Sequence, residues 1–331
     1  MNFKTTDRAL LHMIRQSLFE GEIADLSLAE NEWKSLVAHA DALGVSVMAF
    51  RGALSLSPAL LPKYLPDAWS ELVHLKNERS EAILDEETVL ANSLQENRIS
   101  HLFLADTAAS AYYPDSTLRI IRSTECLCDQ PIKEMTDSLH FAHPFTAKLN
   151  LTVEKGEGTE AVRLRSLLAR ALDASVNAEI GEHALPVPSV TVQALLLLLA
   201  AEQKASLLLL ADWAILTQYA FAKHNINLTM QVRSWEQCGL LATAKKLSYA
   251  SSLAFDLPID EWFADANQDE VEQLLTETLT PEETKLSRAE KNLDIAMKRA
   301  ARPPKAPSGQ KKSTTEKNVI SRFFGGLFGK K

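Results

Sequence analysis

The segments His101-Leu-Phe-Leu-Ala105, Asp106-Thr-Ala-Ala-Ser110, Leu118-Arg-Ile-Ile-Arg122, Ser123-Thr-Glu-Cys-Leu-Cys128 and Thr146-Ala-Lys-Leu-Asn-Leu-Thr-Val153 decide the fold class. The first is a short apolar run that reads as a strand, and the second opens a helix of small residues. The turn Tyr112-Tyr-Pro-Asp-Ser116 follows. In the last segment Ala147, Leu149, Leu151 and Val153 fall on one face, and Lys148, Asn150 and Thr152 on the other, because a strand has a period of two. Strand-like segments cluster only here, between 98 and 158. The expected fold is therefore α+β: a small mixed β-sheet flanked by a helical region at 1–97 and another at 159–300.

Working outward, 331 residues with 46% hydrophobic content are enough to bury a sizeable core. The 11 glycines form no Gly-x-Gly-x-x-Gly or phosphate-loop pattern, which argues against a glycine-built nucleotide cradle. Cys126 and Cys128 alternate along a strand and share a face. With distant Cys238 they make no disulfide framework and read as buried thiols. The start of the chain carries no basic-then-apolar signal pattern. The apolar block Ala194–Ala201 is broken by Glu202 and falls short of the roughly 18–20 residues a spanning helix needs. A cytoplasmic protein is the expectation.

The central stretch resembles the bacterial family described as uncharacterised nucleotidyltransferases, a branch of the polymerase-β type. That family shows an apolar strand ending in Lys-Gly, a small-residue helix, Tyr-Pro-Asp, an Arg, and Asp-x-Asp on a strand. Leu102-Phe-Leu104, Ala108-Ala109, Tyr113-Pro114-Asp115 and Arg119 match this frame. Leu207–Tyr219, with Asp212 inside it, resembles the family's Leu-Leu-Asp-Leu helix, and Trp235–Ala244 a later one. The resemblance covers about Leu10 to Phe263. It implies a nucleotide site at Asp106, Thr107, Arg119 and Lys148, and catalytic positions at Ser123 and Glu125, with Glu125 as metal ligand.

At those positions the chemistry is altered. Ala105-Asp106 stands where Lys-Gly is usual, and Ser123 and Glu125 stand where the two Asp are usual. Mg²⁺ is a hard ion held by carboxylates and phosphate oxygens, so a neutral serine and a displaced Glu125 bind it poorly. Lys148 on the later strand competes with the cation. Asp106 caps the helix start and repels an anion. The resulting expectation is a catalytically degenerate member acting as a binding or scaffold subunit, without a cofactor. The alternative is a divergent Mg²⁺-dependent nucleotidyltransferase using Glu125 and Asp129 on an unknown acceptor. Asp212, among Leu and Ala, reads first as a buried structural acid. His140 and His143 read as loop histidines with no orienting partner.

In the flanks, Asp7 begins an amphipathic helix and a long helix spans about Ala68 to Asn97. Helices follow at Thr159–Leu172 and from Ser189 to Ala201, with a loop at Leu185–Ser189, and a last helix spans Pro281 to Ala301. The segment 301–318 is a basic linker rich in Pro, Ser and Lys, of a composition that does not fold. The segment 319–331 is Phe-rich and amphipathic, with Phe323, Phe324, Leu327 and Phe328 as docking residues for a protein partner or an anionic membrane surface. Residues 301–331 carry eight Lys or Arg against Glu316, a net +7, within a chain of −8; residues 1–300 therefore carry −15. Such an acidic body disfavours nucleic acid.

Overall fold

A computed structural model describes residues 3–19, 26–57, 60–151 and 157–300. The tail, with Phe323, Phe324, Leu327 and Phe328, lies outside the described residues, as does the end of the expected strand at 152–153.

The chain opens with three helices, α1 (Thr5–Phe19), α2 (Glu30–Ala42) and α3 (Ser46–Ala53). Leu10, Leu11, Ile14 and Leu18 recur at helical spacing and are all buried. Gly52 on α3 sits against α1 so closely that a Cβ there would fall 1.9 Å from the Met13 carbonyl oxygen. Helix α4 (Leu65–Glu96) starts on a loop, with Pro66 in its first turn where the missing N–H costs nothing. Its 32 residues span about 48 Å at 1.5 Å per residue. That length lets it serve two cores. Leu65, Trp69, Leu72 and Val73 belong to the larger one, and Ile83, Leu84, Leu90, Ala91 and Leu94 to a smaller one under the sheet.

The central sheet has three strands in the order β1 (His101–Phe103), β2 (Thr124–Cys128), β3 (Phe145–Lys148). β1 pairs antiparallel to β2 and β3 pairs parallel to it, so the sheet is mixed. The period of two sorts its residues: Leu102 and Leu127 enter the larger core, while Phe103, Cys126 and Cys128 face the smaller one. The two thiols share a face as expected, with their sulfurs 3.5 Å apart. β3 is shorter than its alternation predicts: Phe145–Lys148 pair, whereas Leu149 is 51% exposed. Helices α5 (Ala105–Ser110) and α6 (Lys133–Leu139) fill the connections.

Beyond α7 (Thr159–Leu168) the chain departs from the all-helical expectation for 159–300. The expected helix to Leu172 ends at Leu168, and a hairpin of β4 (Ser175–Ile180) and β5 (His183–Pro188) follows. Gly181, at φ +62°, occupies its two-residue turn. The segment Leu185–Ser189 is thus strand rather than loop. Pro186 and Pro188 lie in β5, and proline signals against a strand because it cannot donate to the ladder. The pairing survives on the N–H groups of the other residues, and Leu185 and Val187 are buried beside β1 and α4.

The remaining helices are α8 (Val190–Gln203), α9 (Leu207–Ile215), α10 (Phe221–Lys223), α11 (Leu228–Gln237), α12 (Leu241–Phe255), α13 (Gln268–Thr278) and α14 (Glu283–Ala300). A π turn at Leu216–Ala220 joins α9 to α10. The segment Trp235–Ala244 is not one helix: Gly239, at φ +68°, ends α11 and lets α12 begin at Leu241. α14 returns to the start of the chain, packs on α2 and α4, and buries Ala289, Leu293 and Ala296. The two helical regions therefore share one core.

Candidate functional site

The first turn of α5 is built around charge turned inward. Ala105 takes φ +49°, a left-handed conformation costly for a residue with a Cβ, and this turns the chain sharply from β1 into α5. Leu104, not Asp106, is the N-cap residue. Asp106 is buried, and its carboxylate accepts from the Arg122 amide at 3.1 Å and from the Arg122 guanidinium at 2.8 and 2.7 Å. Arg119 Nη2 reaches the same carboxylate at 2.9 Å. Burial pushes the Asp106 carboxyl up, but the two guanidiniums outweigh it and hold it at about 2. The expected cap is corrected to a buried ion-pair acceptor.

Arg119 continues the network. Its Nε and Nη2 donate to the two oxygens of Asp212 at 2.8 and 3.0 Å, and the Tyr113 hydroxyl donates to Asp212 Oδ1 at 2.7 Å. Burial works against the Arg119 charge, and Asp212 and Asp106 raise its pKa above the ordinary value. This bidentate fork fixes the turn after α5 against α9. Asp212 is the buried structural acid of the first reading. Thr107 is turned from solvent as well: its hydroxyl donates to the Glu87 oxygens at 2.8 and 3.0 Å. Burial raises the Glu87 carboxyl to about 8, against the lowering effect of the Thr107 bond. Asp106, Thr107 and Arg119, assigned by the resemblance to a nucleotide, thus make their hydrogen bonds and ion pairs within the protein.

The positions to which the resemblance assigns a metal are also engaged within the protein or lie apart. Glu125 lies on β2 and Lys148 on β3, and Lys148 Nζ sits 2.5 Å from Glu125 Oε2. An ammonium thus stands against the one carboxylate of the pair. Ser123 precedes β2 and is half-buried. β2 runs unbroken to Cys128, so Asp129 stands four residues beyond Glu125, about 13 Å at 3.3 Å per residue, too far to share an ion with it. A neutral hydroxyl, a carboxylate held by lysine and a distant exposed acid do not fit Mg²⁺. Among the described residues no group of three or more His, Cys, Asp or Glu is arranged to hold a metal. His143 does have an orienting partner, with Nδ1 3.0 Å from Glu86 Oε1, which corrects that expectation.

A cleft that the sequence did not single out lies beside the network. It encloses about 650 Å³ between α2, α4, the first turn of α5, the 119–122 segment, α8, α9 and α14. Six cations line it (Lys76, Arg79, Arg119, Arg122, Lys285 and Arg288) against the carboxylates of Asp41, Asp106 and Asp212. Ser123, Glu125, Asp129 and Lys148 do not line it. Residues scattered from 41 to 292 meet there because α14 folds back on α2 and α4, a long-range contact with no local sequence signal. α4 is net acidic, so the five Lys or Arg against three Asp or Glu on α14 were the one basic signal open to a sequence reading.

No family model, curated protein or solved structure matches the chain. Among the described residues, no helix is long and apolar enough to cross a membrane.

Proposed function

We propose that the chain is a nucleotidyltransferase-like protein whose metal-bearing positions have been replaced, and that it works as a binding or scaffold subunit. The ion pair between Lys148 and Glu125 carries this reading, because it puts a fixed cation where the resemblance calls for Mg²⁺. The strand, short helix and antiparallel second strand, with a third strand parallel to it, are compatible with the mixed core that the resemblance implies. The inward burial of Thr107 adds support, since its hydroxyl donor is spent on Glu87 and is not offered to a phosphate. Docking to a protein partner or an anionic membrane surface is assigned to the tail, on the strength of its +7 charge beside a body of −15.

Calorimetric titration with ATP, CTP, GTP and UTP, with and without Mg²⁺, on the native chain and on Glu125→Ala tests it. Any binding is expected to be indifferent to Mg²⁺ and to the substitution. Mg²⁺-dependent binding that disappears in Glu125→Ala would overturn the reading.

A further inference from the structure

We propose that the cationic cleft is a metal-independent site for a small phosphate ester or diphosphate that also carries a hydrogen-bond donor. The proposal deepens the reading above by naming a ligand class, and rests on it in needing no metal ion. Three observations carry it. The cleft has an excess of cations inside a body whose net charge is −15, so the charge is local and opposite to its surroundings. Arg79 on α4 and Arg288 on α14 line it from facing helices, and neither side chain makes a hydrogen bond or ion pair among the described residues. The third is Gln193 on α8. It is only 3% exposed and lines the cleft, and its Oε1 has no hydrogen-bond partner.

The charges divide into two sets. Lys76 is held by Asp41 at 2.5 Å, and Arg119 lies locked between Asp212 and Asp106. Arg79, Arg122, Lys285 and Arg288 remain with exposed side chains and donors to spare. Guanidinium forks suit phosphate oxygens because they donate two parallel bonds in one plane. A ligand hydroxyl or amino group that reaches α8 would give Gln193 Oε1 the partner it lacks. A phosphate at the basic mouth with a hydroxyl or amine directed to α8 satisfies both. A cavity of about 650 Å³ accommodates a monosaccharide phosphate or a nucleotide.

The test is calorimetry on the full chain with pyrophosphate, glucose 1-phosphate and AMP, each in EDTA and in Mg²⁺. At least one of the three is expected to bind in EDTA, with the two organic phosphates telling a sugar ester from a nucleotide. The variant Arg79→Glu/Arg288→Glu should weaken that binding by about tenfold or more. Both side chains are exposed and unpaired, so the fold should be unaffected. Gln193→Leu should weaken the organic phosphates and leave pyrophosphate unchanged. No binding by any of the three, or binding unchanged in the double variant, overturns the cleft and leaves the degenerate-site reading standing. Binding that requires Mg²⁺ and is lost in Glu125→Ala overturns that reading, and the metal-independent proposal with it.

Discussion

Lys148 and Glu125 come from adjacent parallel strands, and the ammonium of one lies 2.5 Å from the carboxylate of the other. The pairing follows from register: Thr146 is opposite Glu125 and Lys148 opposite Leu127, so Glu125 and Lys148 share a face. Lys148 is 41% exposed and Glu125 30% exposed, so solvent screens the pair. Lys148→Ala should therefore lower stability by less than about 1 kcal/mol in urea denaturation. A loss of several kcal/mol would mean that the pair holds the sheet together rather than merely filling the site.

The Arg119–Asp212 pair should behave in the opposite way. Both side chains are about 95% buried, with 5% exposed in each, and Tyr113 also depends on Asp212. Asp212→Ala leaves a buried guanidinium with half its partners and is expected to cost about 3–5 kcal/mol. Thermal unfolding of that variant measures it, and an unchanged melting temperature would remove the pair from the account of how α5 meets α9.

Glu87 gives the protein a specific pH dependence. Its carboxyl is raised from 4.5 to about 8 in the folded state, so between those values the folded chain holds a proton that the unfolded chain has released. The contribution is fully present below 4.5, declines as pH rises towards 8, and is level above that. The slope within that window reaches about 1.4 kcal/mol per pH unit. Glu87→Gln keeps the neutral shape and should flatten the profile while raising stability at pH 8. An identical pH profile in the variant would show that Glu87 ionises normally.

Close approach of two helices gives a further prediction. Gly52→Ala puts a methyl group 1.9 Å from the Met13 carbonyl oxygen, a backbone atom that cannot swing away. Moving α3 off α1 should cost about 1–3 kcal/mol, read from the shift of the urea midpoint. A neutral substitution would contradict the packing of α1 on α3.

Local pattern made much of this fold legible and long-range geometry concealed the rest. The spacing of Leu10, Ile14 and Leu18 marks α1, and the alternation around Cys126 and Cys128 marks β2, because those signals repeat within one element. The β4–β5 hairpin escaped because Pro186 and Pro188 read as loop. At the site, Asp106 looked like a cap because its partners Arg119 and Arg122 arrive only when the chain turns back after α5. The cleft was hidden for the same reason: Arg79, Gln193 and Arg288 are far apart in the chain and are brought together by packing alone.

We propose that the chain has a nucleotidyltransferase-like frame without a metal site. Manganese binding followed by electron paramagnetic resonance tests it most directly, on the native chain and on Ser123→Asp/Glu125→Asp/Lys148→Asp. That variant removes the ammonium and supplies three carboxylates, one just before β2, one on β2 and one on β3. The account predicts no binding at this position in the native chain and one new Mn²⁺ site in the folded triple variant. Manganese binding in the native chain that is abolished by Glu125→Ala, or a folded triple variant that gains no site, would contradict it.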